Sequence, residues 1–108
     1  MRKIESLMNA AITAGKEFRS ANTAVVNADG ISVVLLHGNK IAEVGDNFIR
    51  LFDGGFQSNT TKSRLNAILQ AHGCDGERVF QKKWQWFVTL NTVNGMVDVP
   101  FFSSMRLG

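Results

Sequence analysis

Basic and aromatic side chains are interleaved in one stretch of this 108-residue sequence. Aromatic rings that stack on bases and cations that neutralise phosphates are the two components of surfaces that bind single-stranded nucleic acid. The stretch therefore indicates a nucleic-acid-binding surface. Its cations are Arg78, Lys82 and Lys83, and its aromatic residues are Phe80, Trp84, Trp86 and Phe87.

Alternation along a strand divides these aromatic residues between two faces. A strand from 84 to 90 places Trp84 and Trp86 together on one apolar face. We expect that face to join the core, because two Trp side chains on an apolar strand face are usually buried. Phe87 then lies on the more solvated face, where it is available to a base or to a protein partner.

A second candidate site precedes an expected helix. Thr60, Thr61, Lys62, Ser63 and Arg64 combine hydroxyl groups, two cations and the backbone N–H groups of a helix start. Such a group can hold a phosphate or a carboxylate. In the simpler alternative, Thr60 or Thr61 caps the helix while Lys62 and Arg64 are solvated. The segment is not a Walker loop, because Thr61 stands where that motif requires Gly.

Few residues suit metal binding or catalysis. The soft ligands are His37, His72 and Cys74, and the spacing of His72 and Cys74 matches no zinc motif. The Asp residues lie beside Gly or Asn in expected turns, where Asp serves backbone geometry. We therefore expect no metal, no cofactor, no catalytic residues and no enzymatic activity.

Composition narrows the class of protein further. Twelve Lys and Arg against nine Asp and Glu give a net charge of +3, which permits an acidic partner. A single Cys excludes an internal disulfide, and the apolar runs are far shorter than the roughly 20 residues of a membrane helix. We expect no membrane span, no signal peptide and a reducing cytoplasm.

Hydrophobic periodicity places these residues on an α+β framework. Apolar residues at helical spacing from Ile4 to Phe18 predict a first helix, with Glu5 and Asn9 outside its apolar stripe. From residue 22 the period becomes 2, and Asp29-Gly30 indicates a tight hairpin. A second helix is expected from Lys62 to His72, ended by Gly73. Two or three strands follow, joined in part by a hairpin at Asn94-Gly95.

These elements predict a single domain over residues 1–108. Its antiparallel sheet of about five to six strands carries two helices on one face. The expected order is one helix, three or four strands, one helix, and two or three strands.

Three sequence blocks resemble a known group of proteins. A leading helix is followed by Leu-His-Gly-Asn-x-Ile-Ala at 36–42 and by Thr-Thr-x-x-Arg-Leu-Asn at 60–66. In this order, the blocks resemble a family of small accessory proteins from tailed bacteriophages. The resemblance covers 22–69 and implies a phage origin, a small α+β domain and no particular activity.

Three functional hypotheses follow. The first is a non-enzymatic phage accessory protein that binds a host protein in the bacterial cytoplasm, as an inhibitor of a defence or housekeeping enzyme. Aromatic residues Phe87, Phe101 and Phe102, together with exposed strand edges, motivate it. The second is a nucleic-acid-binding module. The third sequesters a small molecule such as a nucleotide at 60–63. A homodimer is left open. The residues assigned to a partner or to nucleic acid are Lys62, Arg64, Arg78, Lys82, Lys83, Phe87, Phe101 and Phe102.

Overall fold

The structure, a computed structural model, describes all 108 residues as two helices and nine strands. The α+β class and the antiparallel pairing are confirmed, although the strands form two sheets and exceed the expected number. In chain order the elements are α1 (Lys3–Ala14), β1 (Phe18–Ser20), β2 (Thr23–Ala28), β3 (Ile31–Leu36), β4 (Asn39–Val44), β5 (Ile49–Leu51), α2 (Asn59–His72), β6 (Arg78–Lys82), β7 (Gln85–Thr92), β8 (Gly95–Pro100) and β9 (Met105–Leu107).

The larger sheet has six strands in the order β1-β2-β3-β4-β5-β9. Residues directly opposite each other in an antiparallel pair share one face of the sheet. One such row crosses from β2 to β9, and all its side chains are buried beneath the helices. The row consists of Val25, Val34, Ala42, Leu51 and Met105. Apolar residues from the middle and the end of the chain therefore meet in one core.

Tight turns set the register of this sheet. Asp29 and Gly30 connect β2 to β3, with φ angles of 53° and 81°. His37 and Gly38 connect β3 to β4, with φ angles of 52° and 78°. Positive φ at both central residues is the geometry that matches the twist of a two-residue hairpin. The hairpin predicted at Asp29-Gly30 is confirmed.

Helix α1 is shorter than predicted, and its buried face differs. It ends at Ala14 because Gly15 adopts a left-handed φ of 65°, and Phe18 begins β1 instead. Glu5 and Asn9, expected outside the apolar stripe, are both buried. The Asn9 side-chain amide donates to the carbonyl oxygen of Ala67 in α2 at 3.0 Å. The interface between the two helices is therefore polar at its centre.

Helix α2 begins three residues earlier than predicted. Its N-cap is Ser58, whose Oγ accepts a hydrogen bond from the Thr61 backbone N–H at 3.1 Å. Gly73 ends the helix as predicted, in an extended conformation with φ of −85°. The α2 helix contacts β4 of the larger sheet and β6 of the smaller one. Neither helix is long and apolar enough to cross a membrane.

The side chain of Asn66 bonds α2 to the edge of the three-stranded sheet, β6-β7-β8. The Asn66 amide donates to the Val79 carbonyl at 3.0 Å, and its oxygen accepts from the Val79 N–H at 2.7 Å. Asn66 thus occupies the free edge of β6 as a neighbouring strand would. Val79, Trp86 and Val88 from this sheet are buried in the common core.

A buried ion pair joins α1 to α2. The Arg64 Nη1 lies 2.8 Å from the Glu5 Oε2, and both side chains are almost completely buried. Arg64 Nε also donates to the Thr23 Oγ1 at 3.0 Å, while the Ser63 hydroxyl donates to Glu5. Burial acts to raise the pKa of Glu5, but the hydrogen bonds from Ser63, Arg2 and Arg64 together hold that pKa below its ordinary value.

This pKa predicts an acid-sensitive contribution to stability. Because the folded pKa of Glu5 lies below the unfolded one, ionised Glu5 stabilises the fold above the unfolded pKa. The contribution is lost as the pH falls through the folded pKa. We expect Glu5→Gln to lower stability at pH 7 by about 3–5 kcal/mol, since Arg64 loses its partner. Its melting temperature should also fall less on acidification than that of the unmodified chain.

Thermal melting at neutral and acidic pH, followed by circular dichroism, measures both effects. Glu17→Gln is the control, because Glu17 is exposed and forms no ion pair. If the two variants showed the same pH dependence, Glu5 would not be a source of acid sensitivity.

Candidate functional site

The outward face of the three-stranded sheet carries a pair of aromatic rings. Val79, Trp86 and Val88 face the core, so their neighbours Phe80 and Phe87 face away from it. Phe80 and Phe87 lie directly opposite each other on β6 and β7. Their ring centroids are 5.6 Å apart and the rings are inclined by 21°. The strand register therefore builds an aromatic platform of two stacked, partly exposed rings on the solvent side.

A cation covers part of this platform. The Arg78 guanidinium lies 4.8 Å from the centroid of the Phe80 ring, within the range of a cation–π contact. Lys82 follows at the other end of β6 on the same face as Phe80, because the two are separated by one residue. The platform is thus flanked by positive charge at both ends of β6.

The turn between β6 and β7 displays a tryptophan. Lys83 and Trp84 are its two central residues, with φ angles of 51° and 68°. Trp84 is 92% exposed, whereas Trp86 is 2% exposed. The prediction that both belong to the core is wrong for Trp84, because β7 begins at Gln85 and the left-handed turn removes Trp84 from the strand alternation.

Two further predicted residues lie at the same end of the sheet. Lys62 of α2 donates to the side-chain oxygen of Gln81 at 3.2 Å. Phe102 is 61% exposed and follows Phe101, whose backbone N–H donates to the Trp86 carbonyl at 3.0 Å. Phe101 itself packs edge-on against Trp86, with centroids 5.4 Å apart. Of the three phenylalanines expected to contact a partner, Phe87 is partly exposed, Phe102 is exposed, and Phe101 packs against the core.

We call this set the basic aromatic surface. It consists of Arg78, Phe80, Lys82 and Phe87 on the outward face and of Lys83 and Trp84 in the adjoining turn. Lys62 lies on the inward side of the sheet instead, because it contacts Gln81 and lies 6.0 Å from the centroid of the Trp86 ring. None of the three cations of the basic aromatic surface takes part in any of the three ion pairs of the structure. Their charges are therefore not neutralised within the protein and are available to an anionic ligand.

A protein-family comparison places the chain among phage proteins. A family model described as Kyanoviridae Gp96 protein matches residues 1–108. The chain belongs to this family. The match agrees with the resemblance to tailed-bacteriophage proteins and assigns no activity. Comparisons with curated proteins and with solved structures gave no match.

In this Gp96 family chain the anion site expected at 60–63 is not formed as predicted. Thr61 is buried, and its backbone N–H is bonded to Ser58 Oγ. The Ser63 hydroxyl is bonded to Glu5, and Arg64 is only 3% exposed because it pairs with the same carboxylate. The side chains of Thr60 and Lys62 bond to neither Ser58 nor Glu5. Thr60 is half-buried in the first turn of the helix. The assignment of Arg64 to a partner surface is wrong.

The soft ligands do not converge. His37 lies in an exposed turn and Cys74 is exposed. His72 borders two open clefts of about 430 and 580 Å³, and burial lowers its pKa. No three His, Cys, Asp or Glu side chains are close enough to hold a metal ion.

Sequence reasoning missed two members of the basic aromatic surface. It noted the Phe80 side chain without assigning it to a face, and it placed Trp84 in the core. Lys82-Lys83 had been interpreted as the connection between the strands. A shift of that turn by one residue, to Lys83-Trp84, would have moved Trp84 out of the strand.

The different exposures of the two tryptophans can be measured directly. We expect Trp84→Phe to shift the remaining emission, which comes from buried Trp86, to shorter wavelength and to reduce its quenching by acrylamide. The unmodified chain, measured under the same conditions, is the reference. Equal quenching of the variant and the unmodified chain would contradict the placement of Trp84.

Proposed function

We propose that this phage protein is a non-enzymatic binding protein that holds single-stranded nucleic acid on the basic aromatic surface. The observation that carries the proposal is the Phe80–Phe87 platform, which lies beside unpaired cations and near the exposed Trp84. No cofactor and no catalytic step belong to the proposal.

Base stacking supports a single strand as the ligand. A base exposes both of its faces only when it leaves the stack of a duplex, and aromatic side chains then replace its neighbours. The rings of Phe80 and Phe87 are nearly parallel and share one side of the sheet. Trp84 extends the aromatic area beyond the end of β7. Bases of a single strand can therefore stack at more than one point of this surface.

Phosphate neutralisation supports the same ligand. Arg78 and Lys82 flank the aromatic rings on β6, and Lys83 adds a third charge from the adjoining turn. Cations that make phosphate contacts release counterions and give an affinity that depends on salt. Two contributions to the binding affinity therefore come from this surface. Stacking is independent of charge, whereas the phosphate contacts are weakened by salt.

Binding of fluorescein-labelled oligothymidylate, followed by fluorescence anisotropy, tests the proposal. We expect Phe87→Leu to weaken binding by about 1–3 kcal/mol, because one stacking partner is lost. Phe56→Leu is the matched control, since Phe56 is 74% exposed and lies outside the surface. Lys82→Gln combined with Lys83→Gln should reduce the slope of log K against log salt by about 1.4, at about 0.7 per phosphate contact.

Two results would contradict it. The first is the absence of binding at low salt. The second is an equal loss of affinity in Phe87→Leu and Phe56→Leu, since the effect would then not belong to the platform.

A second candidate function, binding of a host protein as an inhibitor, is favoured by the edge of β8. The hydrogen bond from the Phe101 N–H to the Trp86 carbonyl sets the phase of the β7–β8 ladder. In that phase Val97 and Val99 bond to β7, and Met96 and Asp98 direct their backbone groups outward. Met96 and Val97 are also exposed apolar side chains. An extended segment of a partner can therefore add to β8 as a further strand.

Met96→Pro tests this candidate selectively. Proline removes the outward N–H of Met96 and leaves the β7–β8 hydrogen bonds in place. We expect a host protein that co-purifies with the tagged chain from bacterial lysate to be lost in this variant. Met96→Leu is the control, because it keeps the backbone N–H and an apolar side chain. Retention of the same protein by Met96→Pro would exclude strand addition at β8.

A further inference from the structure

A second concentration of positive charge lies on the outward face of the six-stranded sheet. Residues adjacent to the buried row point to the opposite side of the sheet. From β2 to β9 this outward row consists of Val26, Val33, Glu43, Arg50 and Arg106. The charged residues of the row therefore lie together at the β4–β5–β9 side of the sheet.

Two arginines of this row face each other without an acid between them. Arg50 on β5 and Arg106 on β9 are direct cross-strand partners. Like charges in such positions destabilise a sheet. Glu43 is the carboxylate nearest to Arg50, with 3.6 Å between Oε1 and Nε, and the same side chain holds Lys40 at 2.9 Å. Arg106 takes part in no ion pair. One carboxylate thus pairs with two cations, and Arg106 has none.

Aromatic rings hold two of these cations in place. The Arg106 guanidinium lies 4.8 Å from the centroid of the Phe48 ring, and the Lys40 ammonium lies 4.5 Å from that of Phe52. Both distances are within the range of cation–π contacts. The contacts restrict the two side chains before a ligand arrives. Because cations lie over these rings, this face offers ordered positive charge more than rings for stacking.

We propose that this arginine face, formed by Lys40, Phe48, Arg50, Phe52 and Arg106, binds the phosphodiester backbone of nucleic acid. Charge complementarity identifies the ligand. A phosphate between Arg50 and Arg106 relieves the repulsion of the pair and accepts hydrogen bonds from both guanidinium groups. The contact is independent of base sequence. The arginine face belongs to a different sheet from the basic aromatic surface, so the inference does not rest on the function proposed for that surface.

The experiment compares two double variants with the same net charge. Arg50→Gln with Arg106→Gln removes the cross-strand pair. Lys3→Gln with Lys16→Gln removes two exposed cations at the two ends of α1, which packs on the opposite side of the sheet. The affinity for fluorescein-labelled oligothymidylate is measured over a series of salt concentrations. We expect the arginine variant to reduce the slope of log K against log salt by about 1.4 and the lysine variant to change it little.

A second measurement separates phosphate binding from a structural role. Because a ligand that binds only the folded chain raises its melting temperature, we expect oligothymidylate at low salt to raise that of the unmodified chain more than that of the arginine variant. Equal slopes for the two double variants would overturn the proposal. An equal rise in melting temperature for the arginine variant and the unmodified chain would also overturn it.

The same pair of variants is also made in a chain carrying Phe87→Leu and Trp84→Ala. In this background, Arg50→Gln with Arg106→Gln should reduce the slope of log K against log salt as much as it does in the unmodified chain. This holds whether or not the aromatic rings contribute to affinity. If the basic aromatic surface fails to bind, this result is still obtained. If the decrease disappears in this background, the arginine face does not bind phosphate by itself.

Discussion

Arg64 and Glu5 form their ion pair inside the domain, at the point where both helices meet β2. A buried charge without its partner is costly, so the two helices and the strand can adopt only arrangements in which the pair forms. Two residues further along α2, Asn66 takes the place of a strand beside β6. One helix therefore fixes the position of both sheets. The positions of the outward faces depend on α2. Arg64 bonds this helix to α1 and β2, and Asn66 bonds it to the smaller sheet.

Local patterns in the sequence predict the parts of the fold that local chemistry determines. Asp29-Gly30 identified a hairpin because both positions accept positive φ, and the change of period after residue 22 identified the strands. The pairing of Glu5 with Arg64 joins residues 59 positions apart, so no local pattern reveals it. For the same reason Glu5 and Asn9 were expected on the solvent side of α1. Polar residues in a helix are buried when a distant partner satisfies them.

The candidate site was predicted in part. Arg78, Lys82, Lys83 and Phe87 were predicted to share one surface, and the register of β6 and β7 brings Arg78, Lys82 and Phe87 to the same face. The alternation of apolar residues could not place Trp84. Trp84, Trp86 and Val88 alternate in the sequence whether the strand begins at residue 84 or at residue 85. The arginine face was not predicted at all. Arg50 and Arg106 become neighbours only when the last strand pairs with β5.

The open edge of β8 and the occupied edge of β6 limit how the smaller sheet can grow. Asn66 already bonds to the Val79 backbone, so a strand can be added on the β8 side alone. If two copies of the chain joined edge to edge there, each would present its occupied β6 edge to the outside. Such an assembly closes after two subunits and cannot extend into a filament through this sheet. The side-chain amide of Asn66 thus prevents a further strand from pairing with β6 at Val79.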